Sequence, residues 1–246
     1  MNDDVRSLLI AVAATAVAAV LLGWFLRSYR EERATRRLQT FFGLPDNSEC
    51  LLVVGRDAGT DGAVARNDVS ALLELAAVVK NCGAHAQLVS GENARQGFGE
   101  LTEFCIGGPV SNRRTAAHLA GLLPGVSVNT EGEPGADRGA FLIGSDRYRL
   151  ENGSVEHVLL ARLTAGQRGR PLFLICGQRS VTSQAAARYL ARHHARLARK
   201  HGSGGDFCLL LRVVNSQAYG ADVVELVKDV TKSATVPPKL TSSKDL

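Results

Sequence analysis

The sequence predicts an α/β domain with a mostly parallel sheet, carried behind an N-terminal membrane helix. Three observations predict it. Short, continuous apolar runs that end in glycine recur along the chain, among them "CLLVVG", "FCIGG" and "PLFLICG". Such runs suit strands buried on both faces. Segments with apolar residues at helical spacing alternate with them, the pattern of strand–helix–strand units. Residues 7–26, "SLLIAVAATAVAAVLLGWFL", carry no charge. The expected arrangement is a three-layer, Rossmann-like or flavodoxin-like domain with a β-hairpin insertion.

The apolar segment comes first. A helix of this length spans about 30 Å, the thickness of a bilayer's hydrocarbon core. Trp24 and Phe25 stand at its far end, where aromatic rings favour the interface. A cleaved export signal is the competing reading, but it needs a basic leader and a small-residue exit. Here Asp3 and Asp4 accompany Arg6, and the run leaves through Trp-Phe-Leu-Arg. No polar face exists for a helix lying on the surface. Arg27, Arg30, Arg33, Arg36 and Arg37 follow the run, and only Arg6 precedes it. Positive flanks stay in the cytoplasm. Residues 1–6 are therefore expected outside the cell membrane, residues 7–26 across it and the rest in the cytoplasm.

Residues 27–49 read as a basic juxtamembrane helix and linker. Positions 27–40 lack Gly and Pro, and Gly43 and Pro45 then stop the helix. The arginines could hold anionic lipid headgroups or serve only to fix topology. The α/β domain is expected over 50–231. Its first strand is "CLLVVG", followed by a polar loop over 56–67. A helix, "DVSALLELAAVVKNCG", follows, with Asp68 as a cap candidate. "HAQLVS" and "FCIGG" are the second and third strands, "NRRTAAHLAGLLPG" a second helix and "VSVN" a short strand. "AFLIG", "DRYRL", Asn152-Gly153 and "HVLLARL" read as an antiparallel insertion or edge, because Asn-Gly is a hairpin signal. "PLFLICG" is a buried strand, 181–201 a long helix, "DFCLLLRVV" another core strand and "ADVVELVKDV" a last helix or strand. Residues 232–246 read as a flexible tail.

Composition narrows the function classes. The five cysteines are odd in number and widely spaced, which excludes a secreted disulfide framework and agrees with a reducing compartment. No Cys/His set has metal-ligand spacing, so no metal is expected. The formal net charge of +5 does not by itself indicate nucleic acid. No cofactor motif is present: GxGxxG and GxxxxGK[ST] are both absent.

The candidate chemistry lies at strand ends, where ligands settle in open α/β sheets. Gly107, Gly108, Ser111, Asn112 and Arg113 form one strand-to-helix turn. Gly177, Arg179, Ser180, Thr182 and Ser183 form another. Glycine lets backbone approach a ligand, and a helix N-terminus favours an anion. The same residue types cap helices with no ligand at all. Asp57 and Asp61 on the first loop are acidic candidates for metal binding or acid–base work, or plain solvated charges. Between His157 and Gly205 there is no acidic residue, and Arg188, Arg192, Arg196 and Lys200 recur every four positions. That stripe is either a solvated face or a surface for anionic lipid; it lacks the aromatic interleaving of a nucleic-acid groove. The sequence thus leads to a single-pass anchored protein whose cytoplasmic domain binds a nucleotide-like or phosphorylated small molecule. A tethered nucleotide or glycosidic-bond hydrolase, and a scaffold recruiting partners through the basic helix, remain the alternatives.

Overall fold

The computed structural model describes residues 2–56, 63–94, 97–130, 137–166 and 169–237, with side chains at residue 17 and from residue 19 onward. The chain opens with α1 (Asn2–Phe42). Then come β1 (Glu49–Val54), α2 (Arg66–Asn81), β2 (His85–Ser90), β3 (Thr102–Ile106), α3 (Arg113–Leu122) and β4 (Val126–Val128). β5 (Phe141–Ile143), β6 (Asp146–Tyr148), β7 (Val155–Thr164), β8 (Pro171–Gly177) and α4 (Ser180–His201) follow. β9 (Phe207–Val214), α5 (Ser216–Tyr219), β10 (Val224–Asp229) and α6 (Thr231–Thr235) complete the order.

Seven strands form one sheet in the order β10-β9-β7-β8-β3-β1-β2. β8, β3, β1 and β2 pair in parallel, β9 runs the same way, and β7 and β10 run against them. The sheet is therefore mostly parallel and flanked by helices. The alternation of side chains along each strand divides the core in two. Phe104 and Ile106 of β3 face α2, α4 and the end of α1, whereas Cys105 faces α3, α6 and the small β4-β5-β6 sheet. Helix α2 carries the chain from β1 outward to β2, and α4 carries it from β8 the opposite way to β9. Both helices lie on the same face. These two helical crossovers thus have opposite hands, and one of them is the rare left-handed kind.

The expected edge at "HVLLARL" is corrected. β7 is a central strand, paired on both sides and buried from Glu156 to Leu163. Its apolar run is continuous rather than alternating, the mark of burial on both faces. The hairpin closes instead at Gly144-Ser145, between β5 and β6. Gly153 does turn the chain, with φ 79°, but into a tight loop closed by a Glu151–Val155 bridge. Asp68 is not a cap, since α2 starts at Arg66 behind Ala65. Packing also continues past residue 231, because Ala234 of α6 is buried and its carbonyl accepts from Gly125 N–H.

The end of α1 belongs to the core rather than to a loose linker. Phe41, Phe42 and Leu44 are fully buried among Phe104, Phe173 and Phe207. Cations finish the helix, as suits a carboxyl terminus. The buried Arg162 guanidinium donates to Phe41 O (3.2 Å) and stacks over the Phe41 ring, while Arg170 donates to Gly43 O (2.8 Å). Thr102 Oγ1 donates to Gly43 O as well (2.8 Å). Thr102 and Pro171 open β3 and β8, and Arg162 lies near the end of the reversed β7. Helix α1 therefore enters at the amino edge of the parallel strands. Among the described residues no helix is long and apolar enough to cross a membrane. Positions 7–16 of the expected membrane segment have no described side chains. Over 17–26 the described ones, including Val20, Leu22, Trp24 and Phe25, are exposed.

Candidate functional site: a cleft between two strand-to-helix turns

Parallel neighbours β3 and β8 release the chain at the same edge, opposite the entry of α1. Their turns meet around a cleft of about 400 Å³. Gly107 to Ser111 form one wall, and Gly177 to Ser180 with Ser183 form the other. Arg56, after β1, and Asp68, on α2, close one end; Asn129, Thr130, Arg138 and Gly139 close the other. β2 lies on one side of β1 and β3 on the other, so strand order reverses between β1 and β3, which is where open α/β sheets form crevices.

The first turn is built tightly. Gly107 takes φ 110°, a conformation that favours glycine. Gly55 N–H donates to Ile106 O (3.1 Å) and Arg56 N–H to Ser111 O (3.0 Å), stitching the end of β1 to this turn. A Cβ on Gly55 would lie 2.8 Å from Ser111 Oγ, so glycine is required there. Asn112 is fully buried. Its Oδ1 accepts from the N–H groups of Arg114 (3.0 Å) and Thr115 (3.2 Å), capping α3. Its Nδ2 donates back to Ile106 O (2.9 Å). Asn112 is thus committed to holding the turn, and Arg113 lies exposed outside the cleft.

The second turn is open where the first is closed. Helix α4 begins at Ser180 with Arg179 in the cap position and no side-chain cap. Thr182 Oγ1 donates to Arg179 O (2.7 Å), which uses that hydroxyl internally. Ser180 and Ser183 line the cleft beside the helix's uncapped amide groups. The Arg179 guanidinium is turned aside. Its Nη1 donates to Glu156 Oε1 (2.7 Å) and Asn152 Oδ1 (2.6 Å). Glu156 is fully buried, and Gly153 N–H is its other donor (3.0 Å). Arg179 is therefore the counter-ion of a buried carboxylate. Of the other two arginines that line the cleft, Arg56 pairs with Glu92 (3.4 Å), whereas Arg138 has no ion pair among the described residues. Gln178 ties the small sheet to the main one, donating to Gly139 O (2.9 Å) and Tyr148 O (3.0 Å) and accepting from His157 N–H (2.7 Å). Burial holds the His157 imidazole below its ordinary pKa.

Other candidates are placed differently. Asp57 and Asp61 lie outside the described residues. The four-residue basic stripe is divided: Arg188 is held by Glu74 (2.9 Å) and Asp222, and Lys200 by Asp229 (3.1 Å). Arg192 and Arg196 stay exposed and have no ion pair among the described residues. All five cysteines are free and buried. Burial pushes the Cys50, Cys176 and Cys208 thiols up to about 12, so none is a poised nucleophile.

Beneath the first turn sits a polar cluster. Glu103, itself buried, accepts from Arg114 Nη2 (2.7 Å) and bonds His118 Nε2 (2.9 Å). Burial alone would raise this carboxyl; the His118 and Arg114 hydrogen bonds outweigh it and hold the pKa below the usual range. The ligand-type atoms of Glu103, Cys105 and His118 lie within 4.8 Å of one another. A metal there would compete with a guanidinium already spanning the carboxylate, so the geometry favours a structural network. Sequence reasoning missed Arg138, Gln178, Glu156 and this cluster. The available signal was an acidic residue inside the apolar run "TEFCI", opposite a helix with Arg and His at i and i+4. The chain matches no known family model, no curated protein and no solved structure.

Proposed function

We propose that the chain is a single-pass, membrane-anchored protein whose cytoplasmic Rossmann-like domain binds a small phosphorylated or nucleotide-like anion as a binding or sensor module. One observation carries the reading: two strand-to-helix turns converge on one cleft that contains an uncapped helix start, serine hydroxyls and Arg138, which has no ion pair among the described residues. Each of these favours negative charge. The anchor rests on the uncharged run over 7–26, its position within the continuous helix α1, and the arginines that follow it. From Arg27 to Phe42 the helix would hold the domain about 24 Å from the bilayer, with the cleft at the far edge of the sheet. The ligand then comes from bulk solvent rather than from a lipid headgroup beneath the domain.

The test is thermal denaturation of the detergent-solubilised chain against a panel of nucleotides and sugar phosphates, repeated with Arg138→Ala. At least one phosphorylated compound should raise the midpoint in the native chain, and much less in the variant. A panel that leaves the midpoint unchanged rejects the reading. Arg179→Ala is the wrong probe, because it strands Glu156. A hydrolase is the second reading, favoured by the buried carboxylate of Asp68 in the same cleft. Asp68→Asn would then abolish turnover of a bound nucleotide while leaving its binding intact.

A further inference from the structure

Arg179 is a partition between two cavities. On its other side lies a groove of about 510 Å³, between the starts of α2 and α4 and the loops around Gly153 and α5. The two loops are fastened together, since Asn215 N–H donates to Ser154 O (2.6 Å) and Gln217 N–H to Gly153 O (3.2 Å). The groove's character differs from the cleft's. Its side walls are the amides of Asn67, Asn152 and Gln217, and Val181 supplies an apolar surface backed by Ala185, Val213 and Ala221. Amides offer donors and acceptors without net charge. An apolar surface between neutral hydrogen-bonding groups suits a ring with a polar edge. The compartments adjoin: Asn67 Nδ2 donates to Ser180 Oγ (3.4 Å), and Ser180 lines the cleft.

We propose that this amide-lined groove is a second subsite that takes the neutral ring of a phosphate ester, sugar or base, whose phosphate occupies the cleft. The proposal rests on the anion reading of the cleft and names the class of ligand that fills both halves. The phosphate belongs at the uncapped start of α4, and the ring beyond Arg179 against Val181 and Gln217. Orthophosphate fills one compartment only, so it binds more weakly than an ester that reaches both.

Calorimetric titration of the full chain in detergent tests this with orthophosphate, ribose 5-phosphate and adenosine monophosphate. At least one ester should bind roughly tenfold tighter than orthophosphate, the gain expected from one or two added hydrogen bonds. Gln217→Ala, an exposed change checked for folding by circular dichroism, should weaken that ester about fivefold and leave orthophosphate unchanged. Preference for the nucleotide over the sugar phosphate identifies the ring as a base, and equal affinity identifies it as the sugar. If orthophosphate binds and neither ester binds tighter, or if Gln217→Ala weakens all three alike, the groove is no subsite and the cleft reading stands. If none of the three binds, both fall together.

Discussion

Asn112 separates a simple helix cap from a two-way latch. A cap needs only an acceptor, and aspartate serves as well as asparagine. In the cleft's first turn the amide also donates to the Ile106 carbonyl (2.9 Å) from a fully buried position. Asn112→Ala loses the cap, about 1 kcal/mol, and the donated bond, about another 1 kcal/mol. The expected loss is roughly 2 kcal/mol, or about 4–8 °C in melting midpoint for a domain of this size. Asn112→Asp keeps the acceptor but places a buried carboxylate oxygen against a carbonyl and the Cys105 thiol. Desolvation and the mismatched contact cost roughly 3 kcal/mol or more. Aspartate should therefore be worse than alanine, the reverse of the capping order. Urea titration followed by far-ultraviolet circular dichroism measures both. An Asp variant as stable as the native chain would refute the latch.

Further expectations concern the rest of the scaffold. Arg179→Ala should cost roughly 2–3 kcal/mol by stranding the buried Glu156 carboxylate, and Glu156→Gln in the same chain should restore most of it in a double-mutant cycle. Phe42→Ala should cost about 3–5 kcal/mol although it lies at the end of the long helix α1, because that ring fills the core. The Glu103 carboxyl has a lowered folded-state pKa, so its stabilisation is complete above the unfolded carboxylate range and is lost as pH falls through the folded value. Melting midpoints taken from about pH 5 downward should drop, and the Glu103→Gln variant should drop less steeply. The five buried thiols should resist alkylation in the native chain and all react once urea unfolds it; rapid native labelling would contradict their burial.

Much of the fold was legible because burial on both faces writes continuous apolar runs. "CLLVVG", "PLFLICG" and "DFCLLLRVV" each became core strands of the sheet. The same signal was present in "HVLLARL", but Asn152-Gly153 before it drew the segment towards a hairpin. Turn chemistry reports a local bend and not which strands pair. The convergence of the turns after β3 and β8 could not be read either, since their adjacency depends on sheet order. Arg179 resembled a ligand-binding cation until its partner Glu156, 23 residues earlier, came beside it. Nothing local to Arg162 marks it as the group that closes the carboxyl end of a helix 121 residues away. Long-range pairings of this kind leave no periodic trace.

The proposed affinity of the cleft for anions is tested most directly by amide chemical shifts of the full chain during an orthophosphate titration. Anion binding in the cleft predicts saturable shifts at Gly108, Val110, Ser180 and Ser183, reduced in Arg138→Ala. Shifts confined to the exposed Arg192 and Arg196 face of α4, or none at all, would contradict it.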